Sequence, residues 1–147
     1  MSLDEPQKAL WTALKEDSGL TALIGESRVR RGWPNSTPVF PFISLQWNSN
    51  TSIPGATYVG RRRINLQINI YSIDPHLNEQ VEGYLINNYS IPLKKPAGIE
   101  STNYRITEMH QVDDSHALEF KIDTEDNFIQ HLASSWRLTV KPKSEGV

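Results

Sequence analysis

The sequence predicts an α+β domain, a mainly antiparallel sheet of about five strands with helices packed on one face. Three observations carry that reading. Apolar residues recur at helical spacing over the first two dozen positions. An unbroken alternation of apolar and polar residues from Ile64 to Tyr71 runs into Asp74-Pro75, a helix-opening pair. The last third returns to period-two segments separated by turn-rich stretches.

The elements follow in order. From about Leu3 to Lys15, Leu3, Gln7, Leu10, Trp11 and Leu14 share a helical face, with Asp4 as cap and Pro6 in the first turn, where its missing N–H costs little. A shorter helix starts at Ser18, read as its cap, and passes through Leu20, Leu23 and Ile24 to Gly25, which suits a left-handed end. The run from Val39 to Trp47 reads as a strand started by Pro38 and Pro41, and proline there argues for an edge. Asn48 to Gly60 has the composition of a loop.

In the clearest strand, Ile64, Leu66, Ile68 and Ile70 face a core, while Asn65, Gln67, Asn69 and Tyr71 face the other way. Asp74 then caps a helix with Leu77, Val81, Tyr84, Leu85 and Asn88 on one face. Prolines break the segment from Ile91 to Gly98. Tyr104, Ile106, Glu108, His110 and Val112 resume period two, and Asp113-Asp114-Ser115 is expected to fold the chain back into a strand with Leu118, Phe120 and Ile122. Trp136, Leu138 and Val140 mark the last strand, and the chain is expected to fray from about 142. The 147 residues, read as one domain spanning 1–147, can bury one core.

Composition narrows the function classes. The chain has no cysteine, which removes disulfides, thiolate nucleophiles and cysteine-bearing zinc sites. Fifteen basic against seventeen acidic residues give a net charge of -2, so there is no global attraction for nucleic acid or anionic membrane. No apolar run is long enough to span a bilayer, and MSLDEPQKAL is acidic where a secretion signal is basic, so the expected starting compartment is the cytoplasm.

Motifs of catalysis are missing as well. There is no G-x-S-x-G elbow, no phosphate-binding G-x-x-x-x-G-K-[ST] loop and no G-x-G-x-x-G fingerprint. His110 and His116 flank Asp113-Asp114; a three-residue turn would set the imidazoles face to face, and a two-residue turn would put them out of register. Without an H-x-x-x-H pair this reads as an exposed polar hairpin in preference to a metal site. Asp123, Glu125 and Asp126 lack the glycine and distal glutamate of a calcium loop and read as an acidic turn. No catalytic, cofactor or metal residue is expected.

Two basic clusters stand out, Arg28, Arg30 and Arg31, and the run Arg61, Arg62 and Arg63. Guanidinium forks suit the carboxylates of a neighbouring subunit or phosphates, and the same charges could simply guard a strand edge against aggregation. With an acidic balance overall, subunit contact ranks ahead of nucleic acid. Arg61, Arg62 and Arg63, together with the polar row Asn65, Gln67 and Asn69, are therefore the candidate subunit interface.

The order of these features resembles the tail-completion, or tail-terminator, proteins of long-tailed bacteriophages and prophages. The resemblance covers most of the chain: ALWTALKEDSGLTALIG leading into Arg28-Val29, the strand PVFPFISLQW, RRRINLQINIYS running into a helix, and the closing strands around ALEFKID and SSWRLTV. It departs from compact members between Asp123 and His131, where the approach to the last strand is longer. The resemblance implies a non-enzymatic structural subunit that forms a homo-oligomeric ring, commonly hexameric, at the end of the tail tube and joins it to the head or connector. Its partners would be tail-tube and connector proteins, with DNA passing through the ring without sequence-specific binding and with no membrane contact. It would reside in the virion tail, and in the host cytoplasm during assembly. The segments Asn48 to Gly60 and Ile91 to Glu100 would be arms to neighbours.

The competing readings are a cytoplasmic protein-binding adaptor without enzymatic activity, separable by particle mass, and an enzyme with a site assembled from Glu108, His110, Asp114 and His116, which no motif supports.

Overall fold

The computed structural model describes residues 4–32, 39–52, 62–90, 99–112, 116–121 and 128–143. Its elements in chain order are helices α1 (Asp4–Lys15) and α2 (Ser18–Ile24), strands β1 (Val29–Arg31), β2 (Phe42–Ser52) and β3 (Arg62–Ser72), helix α3 (Pro75–Tyr89), and strands β4 (Tyr104–Gln111), β5 (His116–Lys121) and β6 (Phe128–Pro142).

Five strands lie side by side in the order β1-β2-β3-β6-β4, and β5 adds a sixth that pairs with β6. Every pairing is antiparallel except β1 with β2. The α+β class and the single helical layer expected from sequence are both present. The buried core joins Leu10, Leu14, Leu20, Ile24, Val81 and Leu85 of the helices to one face of the sheet.

β3 supplies the centre of that face. Ile64, Leu66, Ile68 and Ile70 are each no more than 1% exposed, the apolar side that strict alternation predicts. In register beside them stand Leu45 and Ile43 of β2 and Leu138, Trp136 and Leu132 of β6. A buried serine sits among these apolar neighbours for a reason: Ser134 Oγ accepts the Trp136 Nε1–H at 2.8 Å, so neither polar group is orphaned.

The helices are fastened by their caps. Asp74 Oδ1 accepts the backbone N–H of His76 at 2.9 Å, and Pro75 opens α3, as the Asp-Pro pair predicts. Asn78 ties this first turn to the sheet, with its Nδ2 donating to the Gln130 carbonyl and its Oδ1 lying 2.7 Å from Ser72 Oγ. Asp17, one residue before the expected Ser18, is the cap of α2: its Oδ1 accepts from the N–H groups of Gly19 and Leu20. The same carboxylate receives the hydroxyls of Tyr84 and Tyr89 from α3, each at 2.6 Å. A Cβ at Gly19 would fall 2.8 Å from carbons of the Tyr84 ring, so glycine is needed for that approach.

Several expectations are corrected. β4 and β5, expected to form a hairpin about Asp113-Asp114-Ser115, do not pair with each other. Both strands run the same way along one edge of β6, with β4 on Trp136 to Pro142 and β5 on Phe128 to Ala133. It is β5 and β6 that pair as antiparallel neighbours in sequence, and residues 113–115 and 122–127 lie outside the described residues. β6 is fifteen residues long, long enough to hold two strands end to end.

The alternation read through Tyr104, Ile106, Glu108 and His110 also fails midway. A β-bulge between Ile106 and Glu108 inserts Thr107 and inverts the following residues, so Met109 is buried in the core and Glu108 and His110 point to the opposite side. Likewise β2 does not stop at Trp47. A bulge at Asn48 lets it continue to Ser52 in register with Arg62, within the stretch read as loop. Residues 53–60 and 91–98 of the expected arms lie outside the described residues.

β1 is absent from the sequence reading. Three residues cannot display a period, and it is held by contacts from elsewhere: the Trp11 Nε1–H donates to the Val29 carbonyl at 2.9 Å, and the Ile43 N–H to the Arg28 carbonyl at 2.8 Å.

Candidate subunit interface

The face of the sheet turned away from the helices carries the polar row. Asn65, Gln67 and Asn69 all stand there, because residues two apart in a strand share a side. They are not equivalent. Asn69 is only 3% exposed, and its Oδ1 accepts from Gln67 Nε2 at 2.6 Å and from His131 Nε2 at 2.8 Å. Asn65 and Gln67 are half-buried.

One end of this face is aromatic. Phe42, Tyr71 and His131 occupy one row across β2, β3 and β6. Tyr71 stacks on Phe42 at 4.8 Å between ring centroids and on His131 at 4.3 Å, and Phe40 tilts against Phe42. Since an amide oxygen can only accept, the contact with Asn69 puts the proton of neutral His131 on Nε2. Burial pushes the His131 imidazole below its ordinary value and the Tyr71 phenol above its own.

The other end is cationic. Neighbours in a strand diverge, so Arg62 and Arg63 stand on opposite sides of the sheet. Arg62 is in register with Val140, whose side chain is in the core under the helices, whereas Arg63 is in register with Thr139 on the open face. Arg61 lies outside the described residues. What joins Arg63 is Arg137 of β6, in register with Asn65 and so diagonal to Arg63. Both guanidiniums are half-buried, and the Nε of each is buried without a hydrogen-bond partner. On the outer side of Arg137 comes His110, its register partner in β4.

The fold is one already seen in a solved structure. This chain is similar to a chain in the solved structure described as "Virion of native gene transfer agent (GTA) particle", with a TM-score of 0.66 at 14% identity, over 93% of this chain and 95% of that one. No family model matches the sequence, and no curated protein matches it.

His110 and His116 do not face one another across a hairpin, since they lie on successive segments of one sheet edge, opposite Arg137 and Ala133 respectively. Among the described residues no group of three histidines or acidic residues could hold a metal ion. Of the four residues of the enzyme reading, Glu108 and His110 share the open face, and Asp114 lies outside the described residues. Arg28, from the first basic cluster, donates to the Pro41 carbonyl at 3.1 Å and serves the sheet edge.

Arg137 was not among the residues singled out by sequence, yet the signal was available. In a strand whose Trp136 and Leu138 face the core, the residue between them must face outward. What could not be read was which cations of other strands it would join, because that depends on register.

Proposed function

We propose that this chain is a structural, non-enzymatic subunit of a tailed-phage-like particle, acting as a tail-completion protein that assembles into a ring at the end of the tail tube and joins it to the head or connector. The observation that carries the reading is the near end-to-end likeness of its fold to a chain of a gene transfer agent virion. The order of helix pair, edge strand, alternating strand and closing strands, which resembles the tail-terminator family, points the same way. The open, partly cationic sheet face offers a surface on which such a subunit could meet its neighbours.

The test is particle mass together with location. The purified chain, alone and mixed with isolated tail tubes, is examined by native mass spectrometry and negative-stain microscopy. A closed oligomer seated at one tube end is the expected result. A chain that stays monomeric in both conditions, or binds along the tube without a preferred end, would exclude tail completion and favour the adaptor reading.

A further inference from the structure

Helix α3 and the strands β3, β4 and β6 beneath it carry charge of opposite sign. α3 carries Glu79 and Glu82, is capped by Asp74, and has no lysine or arginine. β3, β4 and β6 carry Arg62, Arg63, Arg105, Arg137 and Lys141 against a single carboxylate, Glu108. The acidic helix lies on one side of the sheet. Arg63 and Arg137 project from the other.

Not all of those strand cations are available. Arg105 pairs with Glu100 at 3.1 Å, and Lys143 just beyond β6 reaches the same carboxylate at 3.4 Å. Arg63 and Arg137 differ, since among the described residues neither has a carboxylate within ion-pair distance, and each holds a buried Nε–H with nothing to accept it. Two neighbouring half-buried guanidiniums repel each other, and a carboxylate arriving at their accessible ends would offset that repulsion.

We propose that Arg63 and Arg137 on the open sheet face dock the acidic outer side of α3 of a second copy, centred on its exposed Glu79, so that subunits associate head to tail. α3 turns Asn78, Val81, Leu85 and Tyr89 to its own sheet, which leaves Glu79 facing outward. Seating that side on the neighbour's sheet covers the second face of the sheet with a helix, a common layer arrangement. Donor and acceptor surfaces lie on opposite sides of one subunit, so the contact is heterologous and repeats. With closing rotation it makes a ring. The overall acidic balance favours a carboxylate partner over a polyanion. This inference rests on the ring reading above and names the contact that would build it.

Three full-length variants test it by sedimentation velocity and native mass spectrometry: Arg63→Glu with Arg137→Glu, Glu79→Arg alone, and all three changes in one chain. The first two should each weaken association by about tenfold or more, and the third should recover much of it, because reversed charges again meet opposite charges. Raising salt should loosen the parent oligomer and the triple variant alike. If the double arginine variant fails to fold, Glu79→Arg, which changes an exposed helix position, and Arg63→Gln with Arg137→Gln carry the test. Rings of parental mass and affinity from the charge-reversed variants would overturn this contact while leaving the ring reading intact. A parent chain that never self-associates, with or without tail tubes, would overturn both. Unchanged assembly combined with lost affinity for a short DNA duplex in the arginine variant would assign the face to a polyanion and reject the proposal.

Discussion

The Tyr89 hydroxyl donates to Asp17 Oδ2 at 2.6 Å, joining the last turn of α3 to the cap of α2 across seventy-two positions of sequence. Asp17 is 6% exposed, and its other oxygen receives the Tyr84 hydroxyl and two backbone N–H groups. Asp17→Ala should therefore cost about 2–4 kcal/mol, as a lost cap plus two stranded phenols, and Tyr89→Phe about 1–3 kcal/mol. Chemical denaturation of both variants reads this directly, and shifts within error of the parent would mean that water replaces the network freely.

The same pair has a pH signature. Burial, then the hydrogen bond from Tyr89 to the Asp17 carboxylate, push the phenol far above its ordinary value. A raised value in the folded state means that the contribution is complete below the unfolded phenol's range and is lost as pH climbs beyond it. Spectrophotometric titration should show a phenol that ionises only on alkaline unfolding, and Tyr89→Phe should abolish that step.

Ile68 is fully buried in the middle of β3, between Leu45 and Ser134 in register. Ile68→Asp places an unpaired carboxylate there, at a cost of more than about 3 kcal/mol, and should leave the chain unfolded or melting without cooperativity. Far-ultraviolet circular dichroism across a thermal ramp decides it. A sharp, near-parental transition would show that this face is not the core.

His131 predicts acid sensitivity near neutrality. Its imidazole is held below the ordinary value by burial, so the unfolded chain binds the proton first as pH falls, and stability should decline from about pH 7 toward 5 before the carboxylates titrate. His131→Gln should flatten that segment of the stability profile. An unchanged slope would place the acid sensitivity elsewhere.

Replacing His110 and His116 by alanine should change folding and assembly little, within about 0.5 kcal/mol, because the two residues sit on one sheet edge, and His110 is half-exposed beside Arg137. Metal analysis of the purified parent accompanies the melts. Stoichiometric zinc lost in the double variant would reverse this reading.

By itself the sequence determined those features whose cause is local. Side chains alternate every two residues in a strand, so the core side of β3 was legible at Ile64, Leu66, Ile68 and Ile70. The Asp74-Pro75 opening of α3 was legible because a cap acts on the backbone two residues away. The outward direction of Asn65, Gln67 and Asn69 followed from the same alternation. Tertiary structure alone decided the rest, because each remaining feature depends on which strand lies next to which. The bulge at Thr107 turns Glu108 and His110 to the open face, and nothing in the local residue pattern announces an extra residue whose reason is the fit to β6. β5 continues the line of β4 because a fifteen-residue partner offers it an edge. Arg62 and Arg63 part company while Arg63 and Arg137 meet, since pleating separates neighbours in sequence and register joins residues seventy-four positions apart. A charge's neighbours across a sheet are set by pairing, and pairing is a property of the folded chain.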